Sequence, residues 1–193
     1  TFLAGVQYTL RLTVNYAAAG STIAFAEVVI TMNEPPDGGQ LSVFPSQGYE
    51  LNTTFQLQTY DWTDEPEDFP LSYTMQYYTL IYRPWKLLKA YNQFTNVGAT
   101  IGRGLPSHNY EVTCVVTAAD VLGSTASATQ SVQVKPSRLS VAALSAQLQT
   151  KLSNAFINKD PVGLAQVVVA VSDKINEVNC SLALPSYCTS LNR

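Results

Sequence analysis

The sequence predicts a mainly β protein, a tandem of β-sandwiches with a C-terminal α-helical hairpin. Three observations carry that expectation. Short apolar runs alternate at period 2 between clusters of Pro, Gly, Asp and Ser. A two-strand pattern recurs at an offset of about 100 residues, the size of one immunoglobulin/fibronectin-III-like sandwich. After Lys135-Pro136-Ser137 the apolar spacing lengthens to that of a helix.

Composition agrees with a β-rich extracellular chain. Of 193 residues, 46% are hydrophobic and only 13% charged, against about 25% charged in average domains. Tyr, Thr, Ser, Val and Gln fill the difference, a mix suited to pleated surfaces. The net charge of -3 implies neither a nucleic-acid partner nor an anionic membrane partner. No run of about 18 apolar residues occurs, so no transmembrane helix is expected. Thr1-Phe2-Leu3 carries no basic n-region of a signal peptide. The chain is therefore expected to be a piece of something longer.

The first strands come in a pair. In "YTLRLTV", Tyr8, Leu10, Leu12 and Val14 share one face. "NYAAAGST" supplies a turn at Gly20, and "AFAEVVITM" a second strand. Two strands cannot hide an apolar face, so residues 1–33 read as the last strands of a preceding sandwich. The pair recurs with Leu105, Tyr110, Val112, Cys114, Gly123-Ser124-Thr125, Val132 and Val134 in the places of Leu3, Tyr8, Leu10, Leu12, Gly20-Ser21-Thr22, Val28 and Ile30. The offsets are 102 at Leu3/Leu105, 103 at the glycines and 104 at the closing strand.

The segment "NEPPDGGQLSV" opens the second unit, 34–136. Its prolines cannot donate to a sheet ladder, and its glycines allow a turn. "QLSVFP" then reads as a first strand and "NTTFQLQTYDW" as a second, with Phe55 and Leu57 alternating. "PLSYTMQYYTLIY" places Leu71, Tyr73, Met75 and Tyr77 on one face. Pro45 to Gly48 and Thr63 to Pro70 read as turns. Trp62 is a candidate core tryptophan, and Tyr110 is placed like the tyrosine at the corner opening strand F.

Residues 137–179 predict the helical hairpin. Val141, Leu144, Leu148, Leu152, Ala155 and Phe156 form one stripe, with Ser140 as N-cap. Asp160-Pro161 gives an N-cap with proline at the first helical position, then a stripe of Leu164, Val168, Val171, Ile175 and Val178. Residues 180–193 read as the start of a Cys-rich segment.

From Asn33 onward the motif order resembles the receptor-for-egg-jelly (REJ) module. That family shows Asn-x-Pro-Pro-x-Gly-Gly, then Ser-Val-x-Pro-x-x-Gly, Thr-x-Phe, Trp-x-Asp and Pro-Leu-x-Tyr. The matching residues are Asn33, Pro35, Pro36, Gly38, Gly39; Ser42, Val43, Pro45, Gly48; Thr53 or Thr54 with Phe55; Trp62, Asp64; and Pro70, Leu71, Tyr73. "GLPSHNYEVTCVVTAAD" resembles the module's strand-F signature, so the likeness runs from about Leu3 to Pro136. It implies tandem fibronectin-like sandwiches of polycystin-1-like proteins, sperm egg-jelly receptors and algal or protist surface proteins. In polycystin relatives a helical region leads toward an autoproteolysis domain. "CSLALPSYCTSLNR" looks more like a Cys-rich repeat of protist surface proteins.

Catalytic machinery is not legible. His108 is the single histidine and lies beside Ser107 with no nucleophile elbow or oriented carboxylate, so it reads as a loop residue. No catalytic residue and no cofactor site is expected. Zinc is not expected either, since three cysteines and one histidine show no ligand spacing. The run "DWTDEPED" could offer Asp61, Asp64, Glu67 and Asp68 to calcium. It lacks EF-hand spacing, and such loops are usually solvated, so the expectation is no metal.

Asn52-Thr53-Thr54 and Asn179-Cys180-Ser181 are N-glycosylation sequons. Cys180 and Cys188 are candidates for a disulfide, with each other or with cysteines elsewhere. Cys114, on the Val112 face, reads as a buried free thiol. Tyr82, Trp85, Tyr91 and Phe94, with Lys86 and Lys89, suggest an interaction surface on an edge strand. Ordinary edge packing is the plainer alternative. The expected function is non-catalytic: a spacer and protein-contact module of a large extracellular, cell-surface or ciliary glycoprotein. Its partners would be other extracellular domains, with possible N-glycans and no membrane contact in this segment. The alternatives are a regulatory, force- or ligand-sensing ectodomain of a polycystin-like membrane protein and a carbohydrate-binding module.

Overall fold

The computed structural model describes residues 2–15, 23–79, 85–137, 141–165, 167, 168 and 172. Among them, ten strands form three sheets, followed by one long helix. β1 (Gln7–Val14) and β2 (Ala24–Thr31) make a two-stranded hairpin. The other eight strands make a sandwich. One sheet is β3 (Gln40–Phe44), β5 (Thr54–Tyr60) and β8 (Asn96–Thr100) in that order. The other runs β4 (Gln47–Tyr49), β10 (Thr125–Lys135), β9 (Glu111–Ala119), β6 (Ser72–Tyr78), β7 (Lys86–Asn92). With β3, β5 and β8 as A, B and E, and β10, β9, β6 and β7 as G, F, C and C′, these are the two sheets of an immunoglobulin-type sandwich.

The alternation in the sequence becomes the core. Phe55, Leu57 and Thr59 point inward from β5 while their neighbours face water. They meet Leu71, Tyr73, Met75 and Tyr77 near and along β6, all buried as expected. Val112, Cys114 and Val116 of β9, with Val132 and Val134 of β10, complete the layer.

Several elements differ from expectation. Gln47–Tyr49, which overlaps the turn expected from Pro45 to Gly48, is a short strand pairing parallel to β10. β8 was not foreseen, because Gly98 interrupts its alternation and Ala99 is a small inward residue. Tyr110 stands at the entrance to β9 but forms no corner bond among the described residues. The backbone there is left-handed at both Asn109 and Tyr110. The bond to a backbone N–H comes instead from Tyr77, whose hydroxyl accepts from Gly102 at 3.1 Å.

α1 (Val141–Ile157) is helical as predicted. It ends in a Schellman motif: Lys159 adopts φ 50°, its N–H bonds Phe156 O, and Asp160 N–H bonds Ala155 O. The Asp160 carboxylate then caps Gly163 N–H at 2.9 Å, and 161–165 are helical. The expected stripe is only partly covered. Ala155 is buried, but Phe156 at the end of it is 78% exposed. Ser140, Val171, Ile175 and Val178 lie outside the described residues.

Candidate functional site

The two parts of the structure meet at the segment 32–39. Pro36 is fully buried, and Gly38 takes φ +72° to turn the chain into β3. Gly39 has no Cβ for a different reason: a methyl group there would overlap the indole ring of Trp62. Trp62 packs against the edge of the core, its ring 6.4 Å from that of Tyr73. Its Nε1–H donates to Thr59 Oγ1 at 2.6 Å, and that hydroxyl donates to Gln40 O at 2.7 Å. The Trp of the motif thus holds the start of β3 to the end of β5.

Asn33 ties the seam to the β9–β10 turn. Its Nδ2 donates to Asp120 Oδ2 at 2.6 Å and to Ser124 Oγ at 2.8 Å. Asp120 Oδ1 accepts the N–H groups of Leu122 and Ser124. Burial pushes the Asp120 carboxyl up, but the bonds from Asn33 and the turn's N–H groups outweigh it and hold it below the usual range. In the same turn, Val121 N–H bonds Asp68 O at 3.3 Å. The acidic β5–β6 loop therefore lies against the β9–β10 turn.

Within that loop the structure brings together Asp64, Glu65 and Asp68. Asp64 and Asp68 are among the four candidates expected from the sequence, and Glu65 of the same acidic run joins them. Asp61 and Glu67 do not join them. The Asp61 carboxylate instead reaches Gln40 Nε2 at 3.4 Å. Burial, then the adjacent Glu65 carboxyl, raises the Asp64 pKa; burial, then the charge of Asp120, raises that of Asp68.

The hairpin repeats the sandwich's closing pair in register. Leu10 faces Val28 and Leu12 faces Ala26. At the 102 and 104 offsets, Val112 faces Val132 and Cys114 faces Gln130. The environments differ completely. Leu10, Leu12, Val28 and Ile30 are 47%, 70%, 53% and 40% exposed, while Val112, Cys114, Val132 and Val134 are 0%, 0%, 3% and 0% exposed.

The expected aromatic surface is split. Trp85, Tyr91 and Phe94 are exposed on or beside the edge strand β7. Trp85 packs edge-on against Tyr78 at 5.0 Å, and Lys86 Nζ lies 5.6 Å from the Tyr77 ring. Tyr82 lies outside the described residues. Lys89 does not belong to this surface. It is buried, and its Nζ donates to Tyr73 O at 2.9 Å, where the β6–β7 register slips. The slipped ladder leaves that carbonyl needing a donor, and the lysine supplies it. Burial depresses its pKa to about 8.

Asn52 is exposed in the turn after β4, and its Oδ1 accepts from Gln147 of α1 at 3.3 Å. Asn179, Cys180 and Cys188 lie outside the described residues. His108 is exposed, bonded to Ser107 Oγ at 3.0 Å. Cys114 is a buried free thiol with its pKa pushed up to about 12. A shallow depression of about 230 Å³ lies between β5–β8 and the helical segment, lined by Thr54, Thr100, Lys151 and Asp160 among others. No described helix is long and apolar enough to cross a membrane.

The REJ domain family model matches residues 1–170, which takes in the hairpin, the sandwich and α1. No curated protein matches the chain. REJ domains are non-catalytic modules of the extracellular regions of polycystin-like proteins. The Asn33-to-Gly39 seam, the Trp62 clasp and the alternating core strands all fall within that match, and the chain belongs to the REJ domain family.

Proposed function

We propose that this chain is a rigid spacer and protein-contact module in the ectodomain of a large cell-surface glycoprotein. β1 and β2 act as the closing strand pair of a sandwich that precedes 34–136 in the array. The observation that carries this is the shared register of the two hairpins. Residues buried in one copy are open in the other, and strands equivalent to β3–β8 would cover them. The seam then sets the angle between neighbours, with Asn33 clamping the linker to the β9–β10 turn. Contacts to other chains would use Trp85, Tyr91 and Phe94 on or beside β7, where exposed aromatic side chains supply apolar area. Asn52 offers a glycan site on the outside.

Hydrogen exchange tests the tandem arrangement. In residues 1–193 alone, the β1–β2 amides should exchange fast while those of β9–β10 are protected. In a longer chain carrying the preceding sandwich, both hairpins should be protected alike. Unchanged fast exchange of β1–β2 in the longer chain would refute it.

A second reading, a regulatory ectodomain of a polycystin-like membrane protein, is favoured by α1. Phe156 and Ile157 leave an apolar end on the helix, open to a downstream domain.

A further inference from the structure

The β5–β6 loop carries a group of carboxylates with no cationic side chain paired to them among the described residues. Asp64, Glu65 and Asp68 each offer one carboxylate oxygen, and these three atoms lie within 4.8 Å of one another. Proximity alone would mean little on an open surface. Two further observations point to a missing partner. Asp64 Oδ2 is enclosed and accepts no hydrogen bond among the described residues, although Oδ1 accepts Glu65 N–H at 3.0 Å. Asp68 is only 7% exposed, and its carboxylate makes neither a hydrogen bond nor an ion pair among the described residues.

The surroundings make this worse for bare carboxylates. Asp120, held ionised by its own hydrogen bonds, adds a further negative charge nearby. A salt bridge between Arg11 and Glu27 lies elsewhere, on the hairpin. Buried carboxylates normally carry a cation or a donor. We propose that Asp64, Glu65 and Asp68 bind a calcium ion.

The dimensions suit that ion. Calcium takes oxygen ligands at about 2.3–2.6 Å, so opposite ligands stand about 5 Å apart. Three carboxylates leave coordination positions for water and backbone carbonyls, which calcium's flexible shell of six to eight ligands accepts. Magnesium needs a tighter octahedron and gives up water reluctantly. The consequence would be mechanical. Asp68 O already holds Val121 N–H, so an ion on Asp68 would brace the β5–β6 loop against the β9–β10 turn. Through Asp120 and Asn33 that brace reaches the seam.

Terbium luminescence and thermal unfolding test this on the whole 193-residue chain. Trp62, two residues before Asp64, is the sensitiser. Expected is saturable terbium emission, displaced by calcium at about 1 mM or below, the range of extracellular modules. Calcium should also raise Tm. Asp64→Asn and Asp68→Asn should weaken displacement at least about ten-fold and abolish the calcium shift in Tm. Both are isosteric and relieve repulsion, so they should fold. Asp37→Asn and Asp61→Asn should behave as the parent. Absence of any calcium effect at about 10 mM, ten times the weak end of that range, would overturn the proposal. So would an effect that survives both Asp64→Asn and Asp68→Asn. Magnesium acting at the same concentration would overturn the assignment to calcium.

Discussion

Replacing Thr59 with valine keeps the shape of the side chain and removes only its hydroxyl. In the folded protein that hydroxyl accepts Trp62 Nε1–H at 2.6 Å and donates to Gln40 O at 2.7 Å. Thr59 is buried, so valine leaves an indole donor and a carbonyl acceptor with no replacement from residue 59. A dry unpaired group costs about 1–3 kcal/mol. Trp62 is only partly buried, so water can reach its edge, and the lower end applies to each. The expected loss is about 2 kcal/mol in all. In urea, with m between about 1 and 3 kcal/mol per molar, that lowers the midpoint by about 1 M with m unchanged. Trp62 fluorescence should shift to the red in the native state as the indole N–H turns to solvent. Thr59→Ser, which keeps the hydroxyl and loses a methyl group, should cost only about 1 kcal/mol. A Thr59→Val midpoint equal to the parent's would refute the clasp as the reason Trp62 is where it is.

Four further outcomes follow from the same structure. Gly39→Ala should destabilise by about 1–3 kcal/mol in urea, because the indole must leave the space above the glycine; unchanged stability would mean the ring is not seated there. Val132→Thr should cost roughly 1–3 kcal/mol, whereas Val28→Thr, at the equivalent but open position, should stay within about 0.5 kcal/mol. Lys89 is charged in both states below pH 8; between about 8 and 10.5 the unfolded chain keeps a proton that the folded one releases. Stability should therefore rise with pH from 8 to 10, toward a ceiling of about 3 kcal/mol, and Lys89→Met should remove that slope in urea titrations. Cys114, with its pKa near 12, should resist thiol reagents at pH 8 in native protein and react only in proportion to the unfolded fraction.

Local pattern alone determined a large part of this protein. Period-2 spacing named the inward residues of β5, β6, β9 and β10, because a strand puts alternate side chains on opposite faces wherever it sits. The Pro-Pro-Asp-Gly-Gly run marked a break between strands, since neither residue type suits a ladder interior. Asp160-Pro161 announced a helix start through a cap that acts within four residues. The recurrence of Tyr8 and Leu10 in Tyr110 and Val112 marked two equivalent strand pairs, and the structure gives them equivalent registers.

Only the tertiary structure decided what depends on distant neighbours. Lys89 reads as a surface charge until the β6–β7 slip leaves a carbonyl for it. Glu65 looks no different from Asp61 or Glu67 along the chain; the short turn at 66–68 and the β9–β10 turn select Glu65 to stand with Asp64 and Asp68. β4 and β8 are strands because β10 and β5 offer edges, not because of their own residues. Leu10 and Val112 share a place in the pattern, and burial separates them, because burial is a property of what packs on a strand and not of the strand.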